Sequence, residues 1–120
     1  MSYPFEGSEP KYILEIGNYE WEIHIGGKHL NKCLREDQDA DGMCYQQYLK
    51  IAIATVDDQG KKFTNSQLLD TICHELIHAF AFSYGFDDKE RDVLRLAPLL
   101  ALLFKENIST LSKIIKKYNK

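Results

Sequence analysis

Hydrophobic and polar positions alternate in the first half of the chain and recur at helical spacing in the second. Tyr12-Ile13-Leu14-Glu15-Ile16 and Tyr19-Glu20-Trp21-Glu22-Ile23-His24-Ile25 read as two strands, and Gly17-Asn18 between them is a hairpin-type turn. Trp21, Ile23 and Ile25 share one face of the second strand. Glu20, Glu22 and His24 share the other, which puts His24 on the solvent side. A third strand, Tyr48–Thr55, is ended by Asp57-Asp58-Gln59-Gly60. The period then changes. Thr64-Asn65-Ser66-Gln67 fits a capping box, with Thr64 as N-cap and Gln67 three residues on. Leu68, Leu69, Ile72, Leu76, Ile77 and Phe80 follow at helical spacing, and Gly85 stands where a left-handed C-cap belongs. Acidic residues from Asp87 to Asp92 suit the start of a further helix, whose run Val93–Phe104 is almost wholly apolar. Pro98 inside that run should kink it or leave one carbonyl unpaired. Asn107-Ile108-Ser109-Thr110 breaks the pattern and can cap a short final helix. There Ile108, Leu111, Ile114 and Ile115 turn inward, and Lys113, Lys116, Lys117 and Lys120 form a solvated face. The class expected is α+β: a small antiparallel or mixed sheet packed on one central helix, followed by two more helices.

Composition narrows the setting without naming a function. A chain of 120 residues with 44% hydrophobic and 28% charged content suits one globular domain, residues 1–120. A net charge of −3 argues against general affinity for a nucleic-acid backbone, so no nucleic-acid partner is expected. The N-terminus has no apolar signal-like core, and Leu96–Phe104 is too short to span a bilayer, so no membrane role is expected. Cys33, Cys44 and Cys73 make an odd count with no C-x-x-C pair, which favours reduced thiols in a cytoplasmic protein. Oligomeric state is not legible.

The chemistry-bearing motif is His74-Glu75-Leu76-Ile77-His78, an H-E-x-x-H sequence in mid-helix. Residues four apart leave the same face about one turn, ~6 Å, from each other, so both imidazoles can take adjacent corners of a zinc tetrahedron. Glu75, next to the first ligand, can act as general base toward a metal-activated water without binding the ion. Two surface histidines on an amphipathic helix would explain the letters alone. The register of both histidines and the glutamate on a nearly uncharged segment favours zinc. Cys73 precedes His74 and points about 100° away, so it is a small core residue. His29, in loop-like sequence after Gly26-Gly27, lacks partner spacing and is not favoured as a ligand.

A catalytic zinc site needs a third protein ligand. The helix runs about six residues past His78 and reverses at Gly85, so a returning segment comes level with the histidines near Glu90 to Val93. Asp87 and Asp88 fall in the turn itself, too far along to reach. Glu90 shares a helical face with Val93, Leu94 and Ala97, where small Ala97 allows close approach to the motif helix. Asp92 shares one with Leu96, Leu99 and Leu103 and is a rival with a shorter side chain. Both stay open on spacing alone.

Asp37-Gln38-Asp39-Ala40-Asp41-Gly42 competes as a metal motif, matching the first six positions of a calcium-binding loop. Its twelfth position is Tyr48 rather than glutamate, and its far flank reads as a strand, so calcium is disfavoured. The segment is equally expected of a polar surface loop, one that can border the cleft.

Taken in order, these elements resemble a known family. Thr71 through His74-Glu75-Leu76-Ile77-His78-Ala79, then Glu90-Arg91, Val93, Leu96-Ala97-Pro98-Leu99 and Glu106-Asn107, are similar to the small zincin-like metallopeptidases of phages and prophages. That family is close in plan to the IrrE-type and SprT-type zincins. The resemblance covers the C-terminal half by motif and the strand region only in pattern. It implies a zincin-like fold, a bound Zn²⁺ and hydrolysis of peptide bonds in a peptide or protein substrate. It also tips the third ligand to Glu90, giving His74, His78 and Glu90 as metal ligands with Glu75 catalytic. No third histidine follows, which disfavours a metzincin-like site.

An extended peptide is expected to lie along Leu49–Thr55 as a sheet edge. Tyr84 and Tyr48 are candidates for stabilising an oxyanion, though ordinary packing explains both as well. Two other classes compete: a zinc-bound protein-binding module that cleaves nothing, and a structural protein whose motif is accidental. Glu75 discriminates, since a purely structural site has no need of a carboxylate beside its first ligand and would supply four protein ligands.

Overall fold

A computed structural model describes residues 3–118. It is α+β, with a mixed four-stranded sheet and three helices. The hairpin forms as expected: β1 (Tyr12–Ile16) and β2 (Tyr19–Ile25) pair antiparallel across Gly17-Asn18, with Ile16 opposite Tyr19. Helix α1 (Lys28–Cys33) follows and widens into a π-turn over Leu34–Gln38. Strand β3 (Gly42–Tyr45) comes next, then a 3-10 turn (Gln46–Tyr48) and β4 (Lys50–Ile53). The sheet order is β1-β2-β4-β3, with β4 parallel to β2 and antiparallel to β3. Helix α2 (Asn65–Tyr84) and helix α3 (Glu90–Tyr118) complete the chain.

The layers follow from which faces are apolar. Ile16, Trp21, Ile23, Ile51 and Ile53 project from one face of the sheet onto Leu68, Ile72, Leu76 and Ala79 of α2. The fully buried Trp21 also donates its indole N–H to Ser83 Oγ at 2.9 Å, pinning β2 to the last turns of α2. On the opposite face, Leu30 and Leu34 cover Ala52 and Ala54. A second core lies between α2 and α3, where Cys73 and Ile77 meet Val93, Ala97 and Ala101. Small Ala97 and Ala101 let the two helices approach closely, and Cys73 is a core residue as expected. All three cysteines are unpaired.

Both ends of α2 form as the sequence predicts. Gln67 N–H donates to Thr64 Oγ1 at 3.2 Å and Thr64 N–H to Gln67 Oε1 at 2.8 Å, completing the capping box. Gly85 closes the helix at φ 74°, where its N–H donates to Ala81 O.

Elsewhere the structure corrects the sequence. Helix α1 and strand β3 were not expected. The third strand is Lys50–Ile53 and not Tyr48–Thr55, because Tyr48 closes a 3-10 turn and Leu49 takes a left-handed φ of 56°. Leu49–Thr55 is not a sheet edge either: β4 lies between β2 and β3, and the edge strands are β1 and β3. One helix, not two, follows α2. Asn107 caps nothing, its side chain donating instead to Leu103 O within α3 at 3.0 Å, and the helix also runs through Pro98. Ile108, Leu111, Ile114 and Ile115 are exposed rather than turned inward, since α2 does not extend far enough to cover them. His24 is buried at 2% exposure, not on the solvent side, because the segment from Tyr3 to Ser8 folds over it. Ser8 Oγ lies 3.0 Å from its Nδ1 and Glu22 Oε1 2.9 Å from its Nε2, while Glu22 also accepts from Lys50. No helix among the described residues is long and apolar enough to cross a membrane.

The capping box gives the first test. Thr64→Ala removes the acceptor for Gln67 N–H and should cost about 1 kcal/mol of stability. Urea denaturation should therefore show a lower midpoint with an unchanged slope, and an unchanged midpoint would deny the cap its role.

Candidate metal centre

Helix α2 carries His74 and His78 one turn apart on the strip that neither the sheet nor α3 covers. Their ring centroids are 5.2 Å apart. Gly85 reverses the chain, and α3 then starts at Glu90. Val93 and Ala97, both buried against α2, hold this first turn of α3 close. Glu90 thereby reaches both rings: its Oε1 is 2.6 Å from His74 Nε2 and its Oε2 3.1 Å from His78 Nε2. One donor atom from each of the three residues lies within 4.8 Å of the others, and no other such group occurs among the described residues.

The remaining face of His78 is held from behind. Its Nδ1 donates to Asp88 Oδ2 at 2.7 Å, and Gln46 Nε2 donates to His78 O at 3.3 Å. Gln46 Nε2 also lies 3.4 Å from Asp88 Oδ2, so the 3-10 turn after β3 braces both groups. Burial opposes charge on His78, but the Asp88 hydrogen bond and the carboxylates of Glu75 and Glu90 outweigh it, raising the pKa. Glu75 is 7% exposed and makes no hydrogen bond among the described residues. Desolvation pushes its pKa up to about 7, with His78 pulling it down and Glu90 adding to the rise. Near neutrality this carboxyl is poised between its two forms, the property a general base or acid needs.

Glu75 has this environment because β3 comes unusually near. A Cβ on Gly42 would lie 2.8 Å from Thr71 Cγ2 and 3.2 Å from both Glu75 Cγ and Oε2. Only glycine lets the edge strand approach α2 so closely. The two elements wall a cleft of about 750 Å³, which Glu90, Leu94 and Pro98 of α3 close on the other side. Asp39 and Asp41 border it, so the loop that resembled a calcium site does flank the cleft. Asp41 is engaged by the Arg35 guanidinium, which also donates to Val56 O.

The sequence-predicted residues thus divide. His74, Glu75, His78 and Glu90 come together at the cleft. Asp92, the rival for Glu90, is exposed on another face of α3, its carboxylate 3.8 Å from Arg91 Nε. His24 lies under the N-terminal segment, and His29 sits in the first turn of α1 with its Nε2 3.1 Å from Tyr3 O. Neither tyrosine lines the cleft. The Tyr84 hydroxyl accepts from Gly17 N–H, and the Tyr48 hydroxyl meets that of Tyr3. One expectation is overturned: Asp88, placed too far along the turn, folds back onto His78 because four residues after Gly85 suffice to return the chain. Gln46 carried no signal of its own in the sequence, and Gly42 stood out only as the end of the calcium-like loop. Asp88 had one, a carboxylate ten residues past His78 in a segment obliged to turn back.

Two imidazoles and a carboxylate suit zinc, and Asp88 behind His78 is the partner that typically fixes a metal-bound ring. Compared with known proteins, the chain matches no family model, no curated protein and no solved structure.

The close approach at Gly42 is testable without any metal. Gly42→Ala should cost about 1–3 kcal/mol, the usual range for overpacking. Adding Thr71→Ser removes the methyl carbon nearest the new Cβ and should recover part of that loss. Equal stability of Gly42→Ala and the parent in chemical denaturation would mean that β3 and α2 are not so tightly apposed.

Proposed function

We propose that this protein is a zinc-dependent metallopeptidase of zincin-like plan, acting on a peptide or protein. The convergence of His74, His78 and Glu90 beside the buried Glu75, on the wall of an open cleft, carries the reading. His74 and His78 would hold the ion through Nε2 and Glu90 through its carboxylate. Three protein ligands leave a position open, as hydrolysis requires and a structural site does not. Zinc bound there supplies a Lewis acid and lowers the pKa of water.

The chain's own residues do the rest. Glu75 accepts the proton of the attacking water and hands it to the departing amine, a transfer suited to a carboxyl with a pKa near 7. Asp88 holds His78 in one tautomer and orientation by accepting from Nδ1–H, leaving Nε2 for the ion. Gln46 restrains that pair from the sheet side. Strand β3 offers its unpaired edge along the cleft, where Gly42, Met43 and Cys44 lie, so an extended substrate would add to the sheet there.

Two measurements test this. Zinc should bind with near one-to-one stoichiometry by elemental analysis. At a hundredfold excess over Kd it should stabilise the fold by about 2.7 kcal/mol, reversibly removed by a chelator. Glu90→Ala should weaken zinc affinity by more than about 100-fold and Asp92→Ala hardly at all; an unchanged Glu90→Ala affinity would sink the ligand set.

Hydrolysis is tested apart from binding. Glu75→Gln should keep metal and fold yet lose about 10²–10⁴-fold in rate on a peptide-library substrate. A parent protein that binds zinc and cleaves nothing in such a library would point to a zinc-bound binding module instead.

A further inference from the structure

The cleft carries more negative charge than the metal ligands account for, and the described residues bring no cation into it. Arg35 is bound to Asp41, and Arg91 lies by Asp92 outside the cleft. Lys105 donates to Ser66 Oγ at 3.0 Å and lines a smaller neighbouring cavity. A divalent ion among His74, His78 and Glu90 would be matched by the charges of Glu90 and Asp88. Asp39 and Asp70 are then left over, and neither side chain has an ion-pair partner among the described residues. Glu75 is a second, separate observation. Its carboxylate lines the cleft at 7% exposure with no hydrogen bond among the described residues. A buried carboxylate without a partner is unfavourable, and an occupant of positive charge supplies what the chain does not.

The placement of these acids says what kind of occupant fits. Gly42 lies against Thr71 and Glu75, whereas Gln46 bonds His78 O, so β3 and α2 run side by side in the same sense. The turn Asp39-Ala40-Asp41 before β3 therefore enters the cleft at the Asp70 end. Asp70 precedes His74 by one turn, about 6 Å along the helix axis. An extended chain covers that distance in about two residues. The acids do not gather at a point: among the described residues only His74, His78 and Glu90 bring three donor atoms within 4.8 Å of one another. Their spacing suits a chain rather than a second ion. Across the cleft, Leu94, Ala97 and Pro98 of α3 give an apolar wall. Lysine and arginine side chains match both surfaces, with an aliphatic stem for the wall and a charged head for the carboxylates.

We propose that the substrate of this cleft is a basic polypeptide segment, with a lysine or arginine about two residues from the scissile bond seated beside Asp39 and Asp70. Its scissile bond rests on the metallopeptidase reading, whereas its binding to the two aspartates does not. Acidic segments are repelled by the same wall, so the cleft selects by charge before it cleaves.

Three fluorescent peptide pools test it, random in sequence except for lysine, glutamine or glutamate at two fixed positions. Binding is read by anisotropy on Glu75→Gln protein, so that turnover does not interfere. It is run with zinc and with a chelator, and so decides whether or not metal binds. The lysine pool should bind at least ~10-fold tighter than the glutamine pool, the size of two partly exposed ion pairs, and the glutamate pool weakest. Adding Asp39→Asn and Asp70→Asn should cut that ratio to about twofold and leave the Kd of the glutamine pool within about twofold. If circular dichroism shows that the combined variant has lost helix, the single substitutions decide, each lowering the ratio by ~3-fold. Equal binding of the lysine and glutamine pools, a ratio that survives the substitutions, or binding of no pool overturns the proposal. Cleavage by the parent protein separates the two readings. Equal kcat/KM on the lysine and glutamine pools would overturn the basic preference and leave the peptidase standing. Selective binding of the lysine pool with no cleavage would uphold the basic ligand and overturn the peptidase.

Discussion

Helix α2 is gripped between two apolar layers, and the rest of the structure depends on that grip. Leu68, Ile72, Leu76 and Ala79 meet the sheet, while Leu69, Cys73 and Ile77 meet α3. At 100° per residue these two contacts occupy more than half the helix circumference. One strip remains, and it carries Asp70, Thr71, His74, Glu75 and His78, all at the cleft. Side chains on such a strip have polar work to do in a narrow, partly desolvated space. Within it, Glu75 lies nearest the sheet side and is therefore the one pressed under β3 at Gly42. His74 and His78 lie nearer the α3 side, where Glu90 can reach them. Roles that look chemical are thus set first by helix phase.

What the sequence revealed was whatever depends on local periodicity. The hairpin, the capping box at Thr64, the Gly85 stop and the helical phase of His74, Glu75 and His78 are all determined within a few residues. Glu90 was legible in part, because a helix, a reversal and a returning helix have fixed rises per residue. The failures depend on contacts distant in sequence. His24 alternates as an outward residue should, and only the folding back of Phe5 and Ser8 buries it. Strand β3 is a four-residue segment with no strong pattern, and it exists by pairing Met43 and Cys44 with β4. The C-terminal helix was divided at Asn107 because polar residues there mimic a cap, whereas mid-helix an asparagine can bond back to the preceding turn, as it does to Leu103. Ile108, Leu111, Ile114 and Ile115 share one face of α3, but that face is exposed and not turned inward. Periodicity shows that such a face exists, not that this chain supplies what covers it.

The electrostatics of the cleft follow from the same crowding. Among the described residues no lysine or arginine lines it, while Asp39, Asp41, Asp70, Glu75, Asp88 and Glu90 all do. Of these, Asp41 has a guanidinium partner in Arg35, while Asp88 and Glu90 have the two histidines as their ion-pair partners among the described residues. Carboxylates gathered in a poorly solvated space repel, and the protein can relieve that only by taking up positive charge. Burial above all, with a smaller push from Glu90, holds the Glu75 proton to about 7, and against burial the Asp88 hydrogen bond and the nearby carboxylates hold that of His78 above the ordinary histidine value. A divalent cation among His74, His78 and Glu90 would relieve the same repulsion, but it needs those imidazole nitrogens unprotonated. On the proposed reading, protons and metal therefore compete for one place. Lowering the negative potential would also let Glu75 ionise more readily, so the ion would prepare the base beside it as well as the water it attacks with.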